Sequence, residues 1–330
     1  MEALANQPKY TYGGQAVIEG VMIRGRSHFS LAVRRQDGTI AHRHEPLNTL
    51  FLGKIRQVPL VRGVLVLIET LMLGTKTLHQ SSSMAMEQAG DETEEAMPAW
   101  LLAATLAFSL TVGIGIFFVM PLLLIELMDP FIASDMFSNI FAGLIRLAIL
   151  LGYIWGIGFL KDVKRVYAYH GAEHMAVHAY EAGLPLTVEN VNKFGTPHPR
   201  CGTAFLLTVV LVSLVAFAFL GRPDLWLRII QHLALIAPIS GISYEIIRFS
   251  GVHQTWWISK QMARPGLLLQ RLTTRQPDND QVEVAICAMA GAIAADNGEE
   301  YSPVQPSNSG TDSRSAKNPD QEYSESNGTL

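Results

Sequence analysis

Residues 99–125 read AWLLAATLAFSLTVGIGIFFVMPLLLI, 27 residues without a charge. The hydrocarbon core of a bilayer is about 30 Å thick and takes about 20 apolar residues of helix to cross, so this run spans with residues to spare. Working outward, residues 202–221 form a second uncharged run, of 20 residues. Residues 136–160 are apolar apart from Arg146, and residues 225–247 apart from Arg228, His232 and Glu245. The pattern predicts a mainly α, polytopic membrane protein with about four transmembrane helices, near 100–125, 137–160, 203–220 and 226–247. Charges inside spans face the bundle or a wet cavity, which makes Arg146 and Glu245 candidates for an intramembrane partnership. Arg228 and Glu245 lie near enough to span ends that simple snorkelling is the alternative.

Composition agrees with that reading. Of 330 residues, 49% are hydrophobic and 16% charged, against roughly 25% charged in an ordinary soluble domain. The net charge of −4, from 25 basic and 29 acidic residues, gives no overall basic field and excludes nucleic acid as the expected partner. Two cysteines, Cys201 and Cys287, cannot make a disulfide framework, so a reducing compartment is the default. The start, MEALANQPKYTYGGQ, lacks the features of a signal peptide, and membrane entry is expected through internal segments. With these four spans, ten basic residues fall in the N-terminal region, five in 161–202 and seven in the tail. All of these lie on one side, which predicts a plasma-membrane protein with both termini and the central loop in the cytoplasm. The partners expected are the lipid bilayer and, for a chain with so few spans, further copies of itself as a homo-oligomer.

The remaining pieces are read as follows. Residues 1–56 are a cytoplasmic β-rich region: FSLAVRRQ and TIAHRH alternate about Asp37-Gly38, a hairpin signal in which both central turn positions need φ > 0. The stretch GGQAVIEGVMIRG, around Glu19 and Arg24, suits tight turns, and its spacing is not that of a phosphate loop. Residues 57–80 contain VPLVRGVLVLIETLML, with Arg62 and Glu69 on one helical face, and are read as an interfacial or re-entrant helix. Residues 81–98 are an acidic linker. Beyond the last span, 248–295 is a cytoplasmic C-terminal region with an amphipathic packing helix over 280–295. Residues 296–330 have the composition of a disordered tail.

Polar chemistry is concentrated in 161–202, KDVKRVYAYHGAEHMAVHAYEAGLPLTVENVNKFGTPHPRCG, which carries four of the ten histidines. In a helix His170 and His174 stand one turn apart, and HGAEH fits the H-x-x-E-H pattern in which two imidazoles chelate a metal and the carboxylate acts on water. The PHPRC turn offers His198 and Cys201 as further donors suited to Zn²⁺. Other readings stay open: a short motif of this kind arises by chance, Cys201 can be an inert buried thiol, and Glu181 can be a ligand, an imidazole's partner or a helix-end carboxylate.

The stretches GGQAVIEGVMIRG, YHGAEHMAVHAYEAGLPLTVENV, TPHPRCGTAFLL, ISYEIIRF and PGLLLQRLTTRQPDNDQVEVAICA resemble the YqhQ-like family of bacterial membrane proteins, in the family's order from about Tyr12 to Ala290. The resemblance implies a metal-dependent enzyme. It places the family's polar motif on His170, Glu173, His174, Glu181, His198, Arg200 and Cys201, with Glu19 and Glu245 in flanking blocks and His178 outside the pattern. The resulting expectation is a membrane metal-dependent hydrolase at the cytoplasmic face. His170 and His174, with a third ligand from His198 or Cys201, hold Zn²⁺ or another divalent ion, Glu173 is the general base, and Arg200 an oxyanion stabiliser or a helix-end salt bridge. Glu245 is a further, less favoured ligand. The competing expectation is a non-enzymatic scaffold or transporter with a structural zinc site.

Overall fold

In a computed structural model, residues 12–48, 58–86, 99–253 and 255–302 are described; residues 1–11 and 49–56 of the β-rich region, 87–98 of the acidic linker and 303–330 of the tail lie outside them. The N-terminal region forms a four-stranded antiparallel meander, β1 (Gly13–Val17), β2 (Gly20–Arg24), β3 (His28–Arg34) and β4 (Ile40–Pro46), in that spatial order. Asp37-Gly38 does sit in the β3–β4 connection, but the turn differs from the expected one. Gly38 N–H donates to Arg35 O at 3.0 Å, Arg35 N–H to Thr39 O at 2.9 Å, and in this turn Gly38 alone has positive φ, 87°. The loop is therefore three residues closed by a glycine bulge. Asp37 contributes through its side chain, Oδ1 accepting from Thr39 N–H and Oγ1–H at 2.8 and 2.7 Å.

Strand alternation gives the sheet two apolar faces, and both are covered. Val21, Ile23, Ala32 and Ile40 are buried with Tyr169, Met175 and Ala176 of α5 (Lys161–Glu181) and with Val284, Ala288 and Ala292 of α11 (Asn279–Asn297). Met22, Phe29, Leu31 and Val33 pack on the other face against Met84 and Ala85, at the end of α1 (Val61–Met86). Helix α1 thus runs six residues past the expected boundary at 80. Helix α11 is also not the amphipathic helix expected: it packs on the sheet and along α5 and is buried nearly all round. Order continues past 296, where Asp296 accepts hydrogen bonds from Arg26 N–H at 2.6 Å and Ser27 N–H at 3.0 Å. In the β1–β2 turn Glu19 takes φ 52°, and Arg165 on α5 grips its carboxylate with both Nε, at 2.6 Å, and Nη2.

The helical part holds α2 (Ala99–Ile114), a π-helical turn (Gly115–Val119), α3 (Met120–Glu126), α4 (Asp135–Ile157), α7 (Gly202–Ala218), α8 (Leu225–Ala234), α9 (Ile236–Val252) and α10 (Trp257–Thr273). Ala104–Glu126 and Asp135–Ile157 are long and apolar enough to cross a membrane, and α8 with α9 make a third such segment if their 41° bend lies within one span. Helix α7 is apolar but has 17 residues, about 25 Å at 1.5 Å per residue. By length and composition the described residues therefore carry two or three candidate spans where about four were expected. Helix α10, expected in an extramembrane region, packs on α7, and its Leu269 joins an apolar cluster with Leu150, Ile154 and Leu207.

Arg146, Glu245 and Arg228 each have polar partners, though not the expected ones. Arg146 and Glu245 do not partner each other. Buried Arg146 donates Nε–H to Phe117 O at 2.9 Å, on the π turn, and stands 3.2 Å from His232 Nδ1 between the rings of Phe118 and Phe217. Glu245 instead takes both Nε and Nη2 of Arg62, clasping α1 to α9. Arg228 is buried against Asp129, Ser138 and Asn139 at 3.1, 3.0 and 2.7 Å, an internal network and not a snorkelling side chain. Glu69, further along α1, pairs with Arg24 of the sheet at 2.8 Å.

Candidate metal centre

Helix α5 presents the HGAEH motif, and its glycine decides what can lie against it. A Cβ on Gly171 would sit 2.2 Å from Arg275 O and 3.0 Å from Thr196 Cγ2. Only glycine lets the chain leaving α10 cross the helix at this point, and Arg275 N–H there donates to Tyr167 O at 2.9 Å. The crossing brings Thr273 O to 2.9 Å from His170 Nδ1. The turn before α7 passes nearby and brings Thr196 O to 2.5 Å from His174 Nδ1.

These two contacts fix the imidazoles chemically. A carbonyl oxygen can only accept, so each Nδ1 carries its proton and each neutral ring keeps its lone pair on Nε2. His170 Nε2 lies 3.2 Å from Cys201 Sγ, and donor atoms of His170, His174 and Cys201 all fall within 4.8 Å of one another. All three residues are buried. Between two ring lone pairs and one sulfur there is only the thiol proton. A divalent cation would replace that proton and engage all three donors, so the residues fit Zn²⁺, whose ligands are imidazole and thiolate. Cys201 is held as the N-cap of α7, its Sγ 3.4 Å from Thr203 N and 3.0 Å from Thr203 Oγ1. The other cysteine, Cys287, is buried in α11 with its thiol pushed up to about 12 by burial.

His198 does not complete that trio. It groups with His178 and Glu181, whose donor atoms likewise fall within 4.8 Å; its ring is 4.5 Å from that of His178 and 5.5 Å from that of His174. Arg200 ion-pairs with Glu181 at the end of α5, the salt-bridge arrangement of the two expected for it. His178, in helical register with His174 but outside the family's polar motif, is anchored by Nε2–H donating to Pro197 O at 2.9 Å. Glu245 is engaged by Arg62 and belongs to neither group. A residue missed altogether is Gln270, buried on α10: its Oε1 accepts from His198 N–H at 2.7 Å and its Nε2–H donates to His198 O at 2.8 Å, clamping the PHPRC turn. A lone glutamine in a helix of mixed composition carries no sequence signal of such a partner.

Glu173 lies on the same face, fully inside the protein, with Oε2 3.5 Å from His174 Nε2. Burial pushes its carboxyl above the usual range, while His170, His198 and His178 and a hydrogen bond from Gly14 N–H pull it down. Burial also pushes His174, His178 and His198 below the usual imidazole range, which favours the neutral rings that a cation requires.

The family described as "Protein of unknown function (DUF1385)" matches residues 58–295. The chain belongs to that family. It is also 37% identical over 290 residues, 83% of this chain and 90% of the relative, to "Uncharacterized protein YqhQ" of Bacillus subtilis (strain 168). No solved structure matches it. The family's matched segment includes α5, the PHPRC turn and α10, and so every donor of both groups; it begins after the sheet that packs against α5.

Proposed function

We propose that the protein is an integral plasma-membrane, metal-dependent hydrolase whose site opens from the cytoplasmic face. One observation carries the reading: two imidazoles a helical turn apart, each tied at Nδ1 to a backbone carbonyl, bring donor atoms within 4.8 Å of a buried cysteine sulfur, His170 Nε2 to 3.2 Å of it, with a buried glutamate alongside. His170, His174 and Cys201 would hold the ion. A divalent cation there supplies a Lewis acid and makes water nucleophilic near neutral pH. Thr273 O and Thr196 O orient the rings, as outer partners of ligating histidines do. Glu173, 3.5 Å from His174 Nε2, takes the proton from the attacking water. Arg200 holds Glu181 and through it the end of α5, a positioning role.

Zinc or a similar divalent ion is expected to copurify with the protein, and His174→Ala to remove at least one equivalent, since two remaining donors hold a cation poorly. Elemental analysis of the detergent-purified chain checks this. Wild type that stays metal-free after incubation with Zn²⁺ overturns the reading.

The membrane part of the proposal draws support from packing across the sequence. Sheet, α5 and α11 share one apolar core, so the N-terminal, central and C-terminal pieces belong on the same side, which requires an even number of crossings between them. Two pairs satisfy this, α2–α3 with α4, and α7 with α8–α9, and the basic residues put that side in the cytoplasm. Cysteines introduced at Lys193 and Glu300 should be labelled from the cytoplasm and one at Ser134 from outside; opposite labelling of Lys193 and Glu300 refutes this topology.

A second reading, a structural zinc site, is favoured by one feature. The trio staples α5, the N-cap of α7 and, through Thr273, the end of α10, which are far apart in sequence. Substitution of Glu173 separates the two readings.

A further inference from the structure

We infer that the protein holds a second divalent cation, on His178, Glu181 and His198, beside the one proposed on His170, His174 and Cys201. The inference rests on the metal reading for its chemical meaning, since two neighbouring ions would make a two-cation centre, but its observations are separate.

Donor atoms of His178, Glu181 and His198 lie within 4.8 Å of one another, the same closeness as in the first trio. His198 is 4% exposed, yet its Nε2 makes no hydrogen bond although it is completely enclosed; Glu181 Oε2 stands 3.5 Å away, too far for a good one. A buried ring nitrogen left in this way is costly unless something else engages it. His178 donates Nε2–H to Pro197 O, which leaves Nδ1 with the lone pair. Glu181 ion-pairs with Arg200 through Oε1, and its Oε2 stands on the His198 side of the carboxylate, 3.5 Å from Nε2.

The arrangement also has an interaction to lose. Arg200 N–H reaches His198 Nδ1 at 3.3 Å, and binding a cation through Nε2 would move the ring proton to Nδ1 and end that contact. It is a long hydrogen bond, at the weak end of the range, and a direct metal bond outweighs it. Two imidazoles and a carboxylate, without sulfur, suit Zn²⁺ but equally Mn²⁺ or Fe²⁺, whereas the thiolate of the first trio favours zinc. Paired cations of this kind clamp the attacking and leaving oxygens of a displacement, which points to ester or phosphoester bonds as the substrate class.

The test counts ions in the full-length chain, purified in detergent, loaded with Zn²⁺ and desalted. Wild type should hold two equivalents, and His178→Ala and Glu181→Gln one each. Glu181→Gln keeps side-chain size and a contact for Arg200, so it reports even if His178→Ala fails to fold. Replacing the metal by Co²⁺ should give a sulfur-to-metal absorption band that persists in Glu181→Gln and disappears in Cys201→Ser, showing that the equivalent lost is the sulfur-free one. One equivalent in wild type, unchanged by Glu181→Gln, overturns the second site and leaves the first standing. No bound zinc in wild type overturns the proposed function itself.

Discussion

Glu173→Gln is expected to leave the chain folded, inserted and loaded with metal while reducing its cellular activity to that of a deletion strain. The side chain is fully buried and accepts a hydrogen bond from Gly14 N–H; glutamine has the same shape and keeps an amide oxygen to accept that bond, and being neutral it is easier to bury. The fold should therefore hold. Metal should hold as well, because His170, His174 and Cys201 supply the proposed donors without it. What the substitution removes is the proton acceptor 3.5 Å from His174 Nε2, and losing a positioned general base costs about 10²–10⁴-fold in rate. Complementation of a deletion strain, read together with metal content and membrane-fraction yield, measures all three properties. If Glu173→Gln complements fully while His174→Ala fails to accumulate as folded protein, the metal is a staple and the chain is not a hydrolase.

How much of this was legible follows from what each residue's evidence depends on. The chelating pair is a local fact: four residues of helix put His170 and His174 one turn apart wherever the helix lies. Cys201 and His198 were visible as donor types in a turn, but which of them joins the pair depends on where that turn crosses α5. That is fixed by Gly171, by the Thr196 and Thr273 carbonyls and by Gln270. Backbone oxygens have no sequence signature, and a lone glutamine or glycine has no stated partner. His178 lies outside the family's motif, although its i, i+4 spacing from His174 is plain in the sequence. Intramembrane pairing was misjudged for a similar reason. Arg146 and Glu245 were the obvious opposite charges, yet the π turn offers Arg146 a carbonyl, and α1 packs where its Arg62 reaches Glu245. In α11, apolar and small residues occur on every side; a run like that marks burial on all faces, and the sheet and α5 supply those faces. The hairpin was readable from Asp37-Gly38, but its loop length was not, because a glycine bulge uses the same dipeptide as a two-residue turn.

Gly171→Ala should lower both the stability of the fold and the hold on metal. Its Cβ would meet Arg275 O at 2.2 Å, a backbone atom that cannot rotate away, and Thr196 Cγ2 at 3.0 Å. Either α5 or the crossing chain must shift, and overpacking of this kind costs about 1–3 kcal/mol. The shift falls on the segment that carries Thr273 O, the acceptor for His170 Nδ1, and on the turn that carries Thr196 O, the acceptor for His174 Nδ1. Both rings then lose the contacts that keep their lone pairs on Nε2, and disturbed outer partners weaken metal binding by about 10–100-fold. The expected result is a lower melting temperature in detergent together with weaker zinc retention against a chelator. Gly152→Ala provides the control, since a Cβ there meets nothing within 4 Å and alanine favours helix over glycine; it should leave both measurements unchanged or slightly improved. A Gly171→Ala protein that melts and holds zinc like the wild type would mean that the chain after α10 does not press on α5. The orientation of His170 would then need another cause.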